Sequence, residues 1–377
     1  MTRNILILMC DAGGGHRSVA DAIDSALDHL FPGRYDIHFA DIIAEGYPFP
    51  LNTAGRLYGP MVDLLPGPYG LLWHSSNRSR STDYLLRAVA PLTFERLEDI
   101  VRAAQPEVIV STHPFGNHSA ARLRERLHWD IPLITVVTDL VTIHRCWLCP
   151  EADLCLVPTE QARLLALDAG FAADRVKVIG LPIHLKFAQA PRDRHQLRSE
   201  LGLAEDRLTV LVVGGGEGMG NVFSIARTVA QAGLDTQLVV VSGRNEALKS
   251  RLESVSWEVP TTILGFVDYM PALMHAADLL VTKAGPSTIS EAVSCGLPML
   301  ISGALPGQEE GNAEWAVATG GALFTPTPEE LVLALREIAQ NGPETLAQMR
   351  QKARDAATPD AALNAARLID QVADHKQ

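Results

Sequence analysis

The sequence predicts an α/β protein with two doubly wound parallel sheets, one in each half of the chain. Three observations predict this fold class. Short runs rich in Val, Ile and Leu alternate with longer amphipathic segments. The alternation stops at a proline-marked polar stretch over residues 190–194 and then restarts. A glycine-rich segment follows the first predicted strand of each half, as in many nucleotide-binding folds.

The predicted strands and domain limits follow from that alternation. In the first half the strands cover residues 4–10, 35–41, 107–111, 132–138, 153–157 and 176–179. In the second half they cover residues 208–213, 236–242, 261–264, 278–282, 298–301 and 322–324. We expect an N-terminal domain over residues 1–185 and a C-terminal domain over residues 195–355. A helix within residues 356–377 is expected to pack back across the junction.

Composition and charge argue against several classes of protein. Apolar residues make up 47% of the chain and charged residues 20%, which is typical of a chain that folds throughout. The formal net charge is -12 and no Lys/Arg-rich run occurs, so a nucleic acid is not expected as a partner. No apolar run reaches the roughly 18–20 residues that cross a bilayer. Five cysteines without a secretory segment fit a reducing compartment.

Residues 47–91 interrupt the alternation of strands and helices. They contain six prolines and many apolar or aromatic side chains, including Tyr69 and Trp73, and the basic residues Arg78, Arg80 and Arg87. One interpretation is a pair of short helices that completes the first core. The other is an apolar surface with a basic fringe that receives a lipid. Both stay open at this point.

A histidine lies in the first glycine-rich segment, residues 11–17. Gly14 and Gly15 allow a tight turn and close approach of a ligand where the first helix begins. His16 is expected at the carboxyl edge of the sheet, where a neutral imidazole can act as a general base near pH 7. The alternative is a histidine that only caps the helix or packs.

The second half contains three further segments suited to a phosphorylated ligand. The glycines of two turns leave backbone N–H groups for a diphosphate, Glu291 can accept hydrogen bonds from ribose hydroxyls, and the polar residues near residue 310 can bind sugar hydroxyls. The candidate residues for binding this ligand are Gly214, Gly215, Gly216, Glu217, Gly285, Pro286, Ser287, Thr288, Glu291, Gln308, Glu309 and Asn312. The alternatives are a flexible connection, an acid placed near a helix N-terminus and an exposed helix start.

Five motifs, in this order, resemble one family. They are GGGHR at residues 13–17, THP at 112–114, VTDL at 137–140, KAGPSTI at 283–289 with Glu291, and PGQEEGN at 306–312. Together they resemble the monogalactosyldiacylglycerol synthase and processive diacylglycerol glucosyltransferase family, which has the GT-B fold, over nearly the whole chain. The lipid II N-acetylglucosaminyltransferase is a more distant resemblance, because its first turn contains a proline that is absent after His16.

The resemblance implies an inverting transfer of galactose or glucose from a UDP-sugar to the hydroxyl of 1,2-diacylglycerol. It implies no cofactor and no metal, and the sequence independently lacks the Asp-x-Asp pair of metal-dependent glycosyltransferases. His16 carries over as the base, while Asp139 orients the acceptor or a histidine, or is itself the base. The resemblance also implies that the domain over residues 1–185 binds the acceptor lipid and that the domain over residues 195–355 binds the UDP-sugar. The expected acceptor-binding residues are Gly14, Gly15, His113, Tyr69 and Trp73.

The expected partners are a UDP-sugar, diacylglycerol and a membrane surface. Cysteine usage and the absence of a secretory segment predict a cytoplasmic enzyme, and the lipid acceptor places it peripherally on the inner face of the cell membrane. Two other functions stay open: a GT-B transferase with an isoprenoid or small soluble acceptor, and a UDP-sugar-binding protein without activity. A zinc site around Cys146, Cys149 and Cys155 is disfavoured, because Cys155 falls in a predicted buried strand.

Overall fold

The computed structural model describes residues 2–11, 14–55, 59, 62, 65–78, 81–189 and 192–374, and only the backbone of residues 66, 78, 81 and 83. The chain divides into two compact units. Unit 1 comprises Met1–Leu185, Pro306–Gln308 and Thr358–Gln377, and unit 2 comprises Lys186–Leu305 and Glu309–Ala357.

Unit 1 contains a six-stranded, fully parallel sheet in the order β2-β1-β3-β4-β5-β6. Its strands are β1 Arg3–Met9, β2 Tyr35–Asp41, β3 Val108–Ser111, β4 Leu133–Val136, β5 Leu154–Val157 and β6 Val176–Val178. Its central strands are mostly apolar and buried along their whole length, as expected of strands covered by helices on both faces.

Seven helices of unit 1 lie within the described residues. They are α1 Gly15–Leu30, α2 Pro66–Arg78, α3 Ser81–Val89, α4 Phe94–Ala104, α5 Pro114–Leu127, α6 Glu160–Asp168 and, at the end of the chain, α14 Ala361–Asp374. The last of these packs on α1 and is held by Arg3, which donates to Asp374 at 2.5 Å, and by Tyr35, which donates to Asp370 at 2.6 Å.

Unit 2 contains a second six-stranded parallel sheet, in the order β12-β11-β10-β7-β8-β9. Its strands are β7 Leu208–Val213, β8 Thr236–Val241, β9 Thr261–Leu264, β10 Leu279–Lys283, β11 Met299–Gly303 and β12 Ala322–Phe324. Its helices are α7 Arg194–Glu200, α8 Val222–Ala230, α9 Glu246–Glu253, α10 Met270–Ala276, α11 Pro286–Cys295, α12 Glu310–Thr319 and α13 Pro328–Asp355. Gly342, with φ +70°, and Pro343 interrupt the last of these.

The predicted fold class is confirmed, and each predicted strand is present with ends shifted by at most two residues. Among the described residues of the 47–91 segment, the structure shows the helices α2 and α3, with several exposed apolar side chains on them. Gly13 and Arg80 lie outside the described residues, as does the side chain of Arg78. In the described part of the chain, no helix is long and apolar enough to span a bilayer.

Candidate active site

His16 lies in the first turn of α1, directly after the carboxyl end of β1. Gly14 precedes the helix with φ +75°, a left-handed conformation that favours glycine. The His16 Nδ1 atom lies 2.8 Å from the carbonyl oxygen of Thr112 and 3.0 Å from the Thr138 hydroxyl. A carbonyl oxygen only accepts, so Nδ1 carries the hydrogen and Nε2 keeps its lone pair.

Burial lowers the pKa of His16 from its usual 6.5 to about 4. The side chain is only partly exposed, and its charged form would lose hydration. His16 is therefore uncharged at pH 7. An uncharged ring with a bare Nε2 is the form that a general base requires.

His113 is the immediate neighbour of His16. It caps the N-terminus of α5, where its Nδ1 accepts from the backbone N–H of Phe115 at 3.3 Å. This bond assigns the ring hydrogen of His113 to Nε2. Burial, with a contribution from His16, holds the pKa of His113 well below 6.5. The structure thus places a hydrogen-bond donor, His113, beside a proton acceptor, His16.

Asp139 is buried, and both carboxylate oxygens accept hydrogen bonds. Oδ2 accepts from the indole Nε1 of Trp147 at 2.8 Å, and Oδ1 accepts from Gln308 Nε2 at 3.2 Å. The Trp147 ring lies 5.7 Å from the His16 ring, centroid to centroid. A carboxylate engaged in this way is better suited to holding an indole beside His16 than to removing a proton.

The two aromatic residues predicted to bind the acceptor differ in their surroundings. Tyr69 is half-buried and donates to Gln308 Oε1 at 2.6 Å, so it joins the network that ends at Asp139. Trp73 is buried against Gly307, where a Cβ atom would come within 2.6 Å of the indole. Its ring also meets that of His144 at 5.3 Å. Trp73 therefore packs inside unit 1.

In unit 2, the turn over residues 214–220 packs against the turn that follows β8. A Cβ atom on Gly218 would lie 2.2 Å from the carbonyl oxygen of Ser242, and Arg244 donates its backbone N–H to Gly216 at 2.9 Å. Glu217 accepts from the Arg244 guanidinium at 2.9 Å. The glycines of the 214–220 turn therefore serve, in part, to let this turn pack closely against the turn that follows β8.

The turn between β10 and α11 contains Gly285 at the N-cap and Pro286 at the first helical position. Because Pro has no N–H and the Ile289 N–H already donates to Gly285 at 3.0 Å, the free donors of this end of the helix are the N–H groups of Ser287 and Thr288. The strands β7 and β10 are neighbours, so the 214–220 turn and this turn follow the carboxyl ends of adjacent strands. This is the place where parallel sheets bind nucleotides.

Two predicted sugar-binding residues are buried beside this turn. Glu309 is 3% exposed, pairs with the ammonium of Lys283 and accepts from the backbone N–H of Leu305 at 3.1 Å. Asn312 is 1% exposed and donates from Nδ2 to the carbonyl oxygen of Ala284 at 3.1 Å. The predicted alternative of an exposed helix start is wrong for both residues.

Glu291 lies inside α11, about one turn from its start. Burial raises its pKa from 4.5 to about 8. Its carboxyl group is therefore protonated at pH 7. It can then donate one hydrogen bond and accept others.

Comparison with known proteins decides the family. Residues 16–183 match the family described as monogalactosyldiacylglycerol (MGDG) synthase, and residues 209–365 match the glycosyltransferase family 28 C-terminal domain. The chain is 34% identical over 388 residues to monogalactosyldiacylglycerol synthase 2, chloroplastic, of Arabidopsis thaliana, covering 100% of this chain and 82% of that one. It is 34% identical over 395 residues to the chloroplastic synthase of Spinacia oleracea, covering 99% and 73%.

The chain belongs to the MGDG synthase family. Among solved structures, Acinetobacter baumannii MurG has a TM-score of 0.63 at 16% identity, covering 98% of this chain and 100% of that one. Anabaena Alr3699/HepE in complex with UDP has a TM-score of 0.59 at 16% identity, covering 100% and 99%. The predictions of this family, of the GT-B fold and of a glycosyltransferase are confirmed.

The comparison corrects the predicted location. We expected an enzyme on the inner face of a cell membrane, whereas the family members above are named chloroplastic. The prediction was wrong because it rested on cysteine usage and on the absence of a secretory segment. These features indicate a reducing compartment but do not distinguish one such compartment from another.

Several residues of the candidate site were missed by sequence analysis. Thr112 and Thr138 fix the His16 ring, and Lys283 pairs with Glu309. All three lie at the carboxyl end of a strand or within two residues after it, and that position could have singled them out. Trp147 gave no such signal, because its contact with Asp139 depends on the path of an irregular loop.

No group of three or more His, Cys, Asp or Glu side chains that could hold a metal ion occurs in the described ranges. Cys155 lies inside β5 as expected, and Cys146, Cys149 and Cys155 are not part of disulfides. Transfer without a metal stays a prediction.

Proposed function

We propose that this MGDG synthase family member transfers galactose from UDP-galactose to the free hydroxyl of 1,2-diacylglycerol, with inversion, and that His16 is the base. The names of the relatives support galactose and diacylglycerol. The observation that carries the mechanism is the hydrogen bond from His16 Nδ1 to the carbonyl oxygen of Thr112. It leaves Nε2 of an uncharged, partly exposed ring ready to accept a proton.

In the proposed reaction the acceptor oxygen attacks the anomeric carbon. The new glycosidic C–O bond forms as the C–O bond to the β-phosphate breaks, and that electron pair leaves with UDP. The hydroxyl proton passes to His16 Nε2. A base with a pKa of about 4 is weak, so it takes the proton late, when the forming bond has made the hydroxyl acidic. The Nε2–H of His113 can donate to the same acceptor oxygen and hold it in place.

Asp139 then acts as a positioning residue. Its carboxylate holds the Trp147 indole, which packs beside the His16 ring, and it accepts from Gln308. Of the two alternatives for the base, these contacts favour His16. Asp139 instead helps to keep the ring of His16 in its orientation.

The proposed donor site lies in unit 2. The free N–H groups at the start of α11, together with the glycines of the 214–220 turn, suit a diphosphate without a metal ion. The protonated carboxyl of Glu291 suits the ribose hydroxyls, and Glu309 and Asn312 suit the hexose. The Phe266 ring is 59% exposed, and the Arg244 guanidinium lies 4.7 Å from its centroid. This ring offers a flat surface on which the uracil ring of the donor can stack.

The proposed acceptor is delivered from a lipid surface by α2 and α3. Leu71 and Leu72 on α2 are 74% and 62% exposed, and Tyr84 and Leu85 on α3 are 72% and 62% exposed. The two helices contact each other. Large apolar side chains exposed on neighbouring helices suit contact with acyl chains. Tyr69 and Trp73 lie on the same helix α2, but less exposed.

The test is UDP release in EDTA, with UDP-galactose and UDP-glucose supplied separately and products identified by mass. Diacylglycerol micelles, an isoprenoid alcohol and buffer alone are the three acceptor conditions. We expect a galactosyl diacylglycerol only with UDP-galactose and diacylglycerol. UDP binding without any glycosylated lipid would refute the proposed reaction and leave a UDP-sugar-binding protein. A glucosyl or isoprenoid product would refute the proposed donor or acceptor.

A further inference from the structure

Lys283 and Glu309 form an ion pair that the reaction described above does not use. Lys283 is the last residue of β10, and Glu309 directly precedes α12. The Glu309 side chain is 4% exposed and the Lys283 side chain is 21% exposed. A carboxylate this deeply buried needs a partner, because an unpaired buried charge is strongly destabilising.

The ammonium group of Lys283 lies over the turn that begins α11. A Cβ atom on Gly285 would come within 3.3 Å of the ammonium and 3.9 Å of the Glu309 carboxylate. The N-terminus of this ten-residue helix carries a partial positive charge, so a second cation there is unfavourable. The Glu309 carboxylate compensates the charge of the Lys283 ammonium and the partial charge of the helix N-terminus. An anion bound at the turn would compensate the same two charges.

An independent observation indicates a polar ligand at the same turn. The Oδ1 atom of Asn312 is buried and, within the described chain, has no hydrogen-bond partner. The Nδ2 atom of the same amide donates to Ala284, the residue between Lys283 and Gly285. A buried acceptor is rarely left unpaired, and a hydroxyl of a bound sugar would satisfy it.

We infer that Lys283 is a diphosphate-binding residue that exchanges partners when the donor binds. Without the donor, Lys283 holds Glu309. The diphosphate takes over the ammonium, and the released carboxylate of Glu309 accepts hydrogen bonds from hexose hydroxyls beside Asn312. As the bond from the sugar to the β-phosphate breaks, Lys283 lies next to the oxygen that receives the electron pair. The identity of the donor in this inference rests on the proposed function.

The test compares the affinities of UDP and UMP, by calorimetry, for the full chain and four variants. Lys283→Met removes the charge, Lys283→Arg keeps it, and Glu309→Gln frees the ammonium. Lys177→Met, at an exposed position of β6, is the control. We expect Lys283→Met to weaken UDP roughly 10- to 100-fold, as for a lost charge-assisted bond, but UMP less than about threefold. Lys283→Arg should restore most of the UDP affinity.

Glu309→Gln distinguishes exchange from a static ion pair. If Lys283 leaves Glu309 for the diphosphate, Glu309→Gln binds UDP as tightly as the wild type or tighter, while turnover of UDP-galactose falls. If the pair is only structural, Lys283→Met and Glu309→Gln weaken UDP and UMP alike and lower the melting temperature together, and the inference is wrong. Should Lys283→Met fail to fold, the UDP affinity of Glu309→Gln decides alone.

The outcome is separable from that of the proposed function. A wild-type chain that makes no galactolipid, but whose variants show the expected UDP affinities, refutes the proposed reaction and leaves the exchange intact. A chain that makes galactolipid, with Lys283→Met unchanged in UDP affinity, refutes the exchange only.

Discussion

The ring of His113 meets the ring of His16 edge-on, with centroids 4.7 Å apart and planes at 74°. Each ring has its Nδ1 bonded to the backbone, but one donates and the other accepts. The two adjacent imidazoles therefore expose opposite groups at Nε2, a lone pair on His16 and an N–H on His113. This pairing needs no carboxylate in contact with either ring.

Replacing His16 with alanine should abolish most of the transfer. Loss of a general base lowers turnover by about 10²- to 10⁴-fold, while UDP affinity should stay within about twofold because the proposed donor site is in unit 2. His29→Ala, at an exposed position on the same helix, is the matched control. Steady-state UDP release measures the turnover, and calorimetry measures the UDP affinity. A His16→Ala enzyme with normal turnover would show that another group takes the proton.

His113→Asn should separate acceptor placement from proton removal. Asn keeps a side-chain oxygen that can cap α5, so the fold should survive. It loses the ring that holds the acceptor oxygen, and we expect the KM for diacylglycerol to rise roughly tenfold, as for one lost hydrogen bond. Kinetics at varied lipid fraction in micelles measure this change. An unchanged KM with a lower kcat would instead assign His113 to the chemical step.

The pH dependence of stability should report the buried His16. Its pKa is about 4 in the folded chain and about 6.5 unfolded, so between these values the unfolded state binds the extra proton. The free energy of unfolding should therefore fall as pH decreases from about 6.5 to 4. Urea melts at several pH values should show a shallower fall for His16→Gln. Equal slopes in both proteins would contradict the low pKa.

Glu291→Gln should stabilise the protein at neutral pH. The folded chain keeps the Glu291 proton up to about pH 8, whereas the unfolded chain releases it near 4.5. Stability is therefore lost as pH rises through this interval, and the amide, which does not ionise, avoids that loss. We expect a gain of roughly 3 kcal/mol at pH 7, since pH 7 lies about 2.5 units above the unfolded pKa, seen as a higher melting temperature. The difference should vanish below pH 4.5.

Trp147→Phe should test the link between Asp139 and the base. Phenylalanine keeps the ring beside His16 but leaves the Asp139 oxygen that accepts the indole N–H without that donor. Removing one partner of a buried hydrogen bond costs about 1–3 kcal/mol. We expect lower turnover with an unchanged pH profile. If Asp139 were the base, losing a hydrogen bond to its carboxylate would shift the pH profile.

The fold was predictable because central parallel strands are mostly apolar and are buried on both faces. β7 reads Leu-Thr-Val-Leu-Val-Val, and all but its first residue are buried. The place of His16 was predictable for a related reason: a glycine-rich segment after the first strand has to turn at the carboxyl edge of the sheet.

The finer contacts of the site were not predictable from the sequence. Lys283 and Glu309 are 26 residues apart, and Trp147 reaches Asp139 through an irregular loop. Such pairs depend on how side chains pack between elements, which has no period in the sequence. Residues 47–91 were ambiguous for another reason, because short helices and exposed apolar side chains occur there together.

The helix Ala361–Asp374 has a consequence for synthesis on the ribosome. It belongs to unit 1, and its buried face, which includes Ala362, Ala366 and Ile369, packs against the first helix of the chain. Unit 1 thus starts with residues that emerge before unit 2 but is completed only after all of unit 2 has been translated. Until then the face of α1 that this helix covers stays exposed to solvent. The growing chain therefore presents an exposed apolar surface that a holdase chaperone can bind.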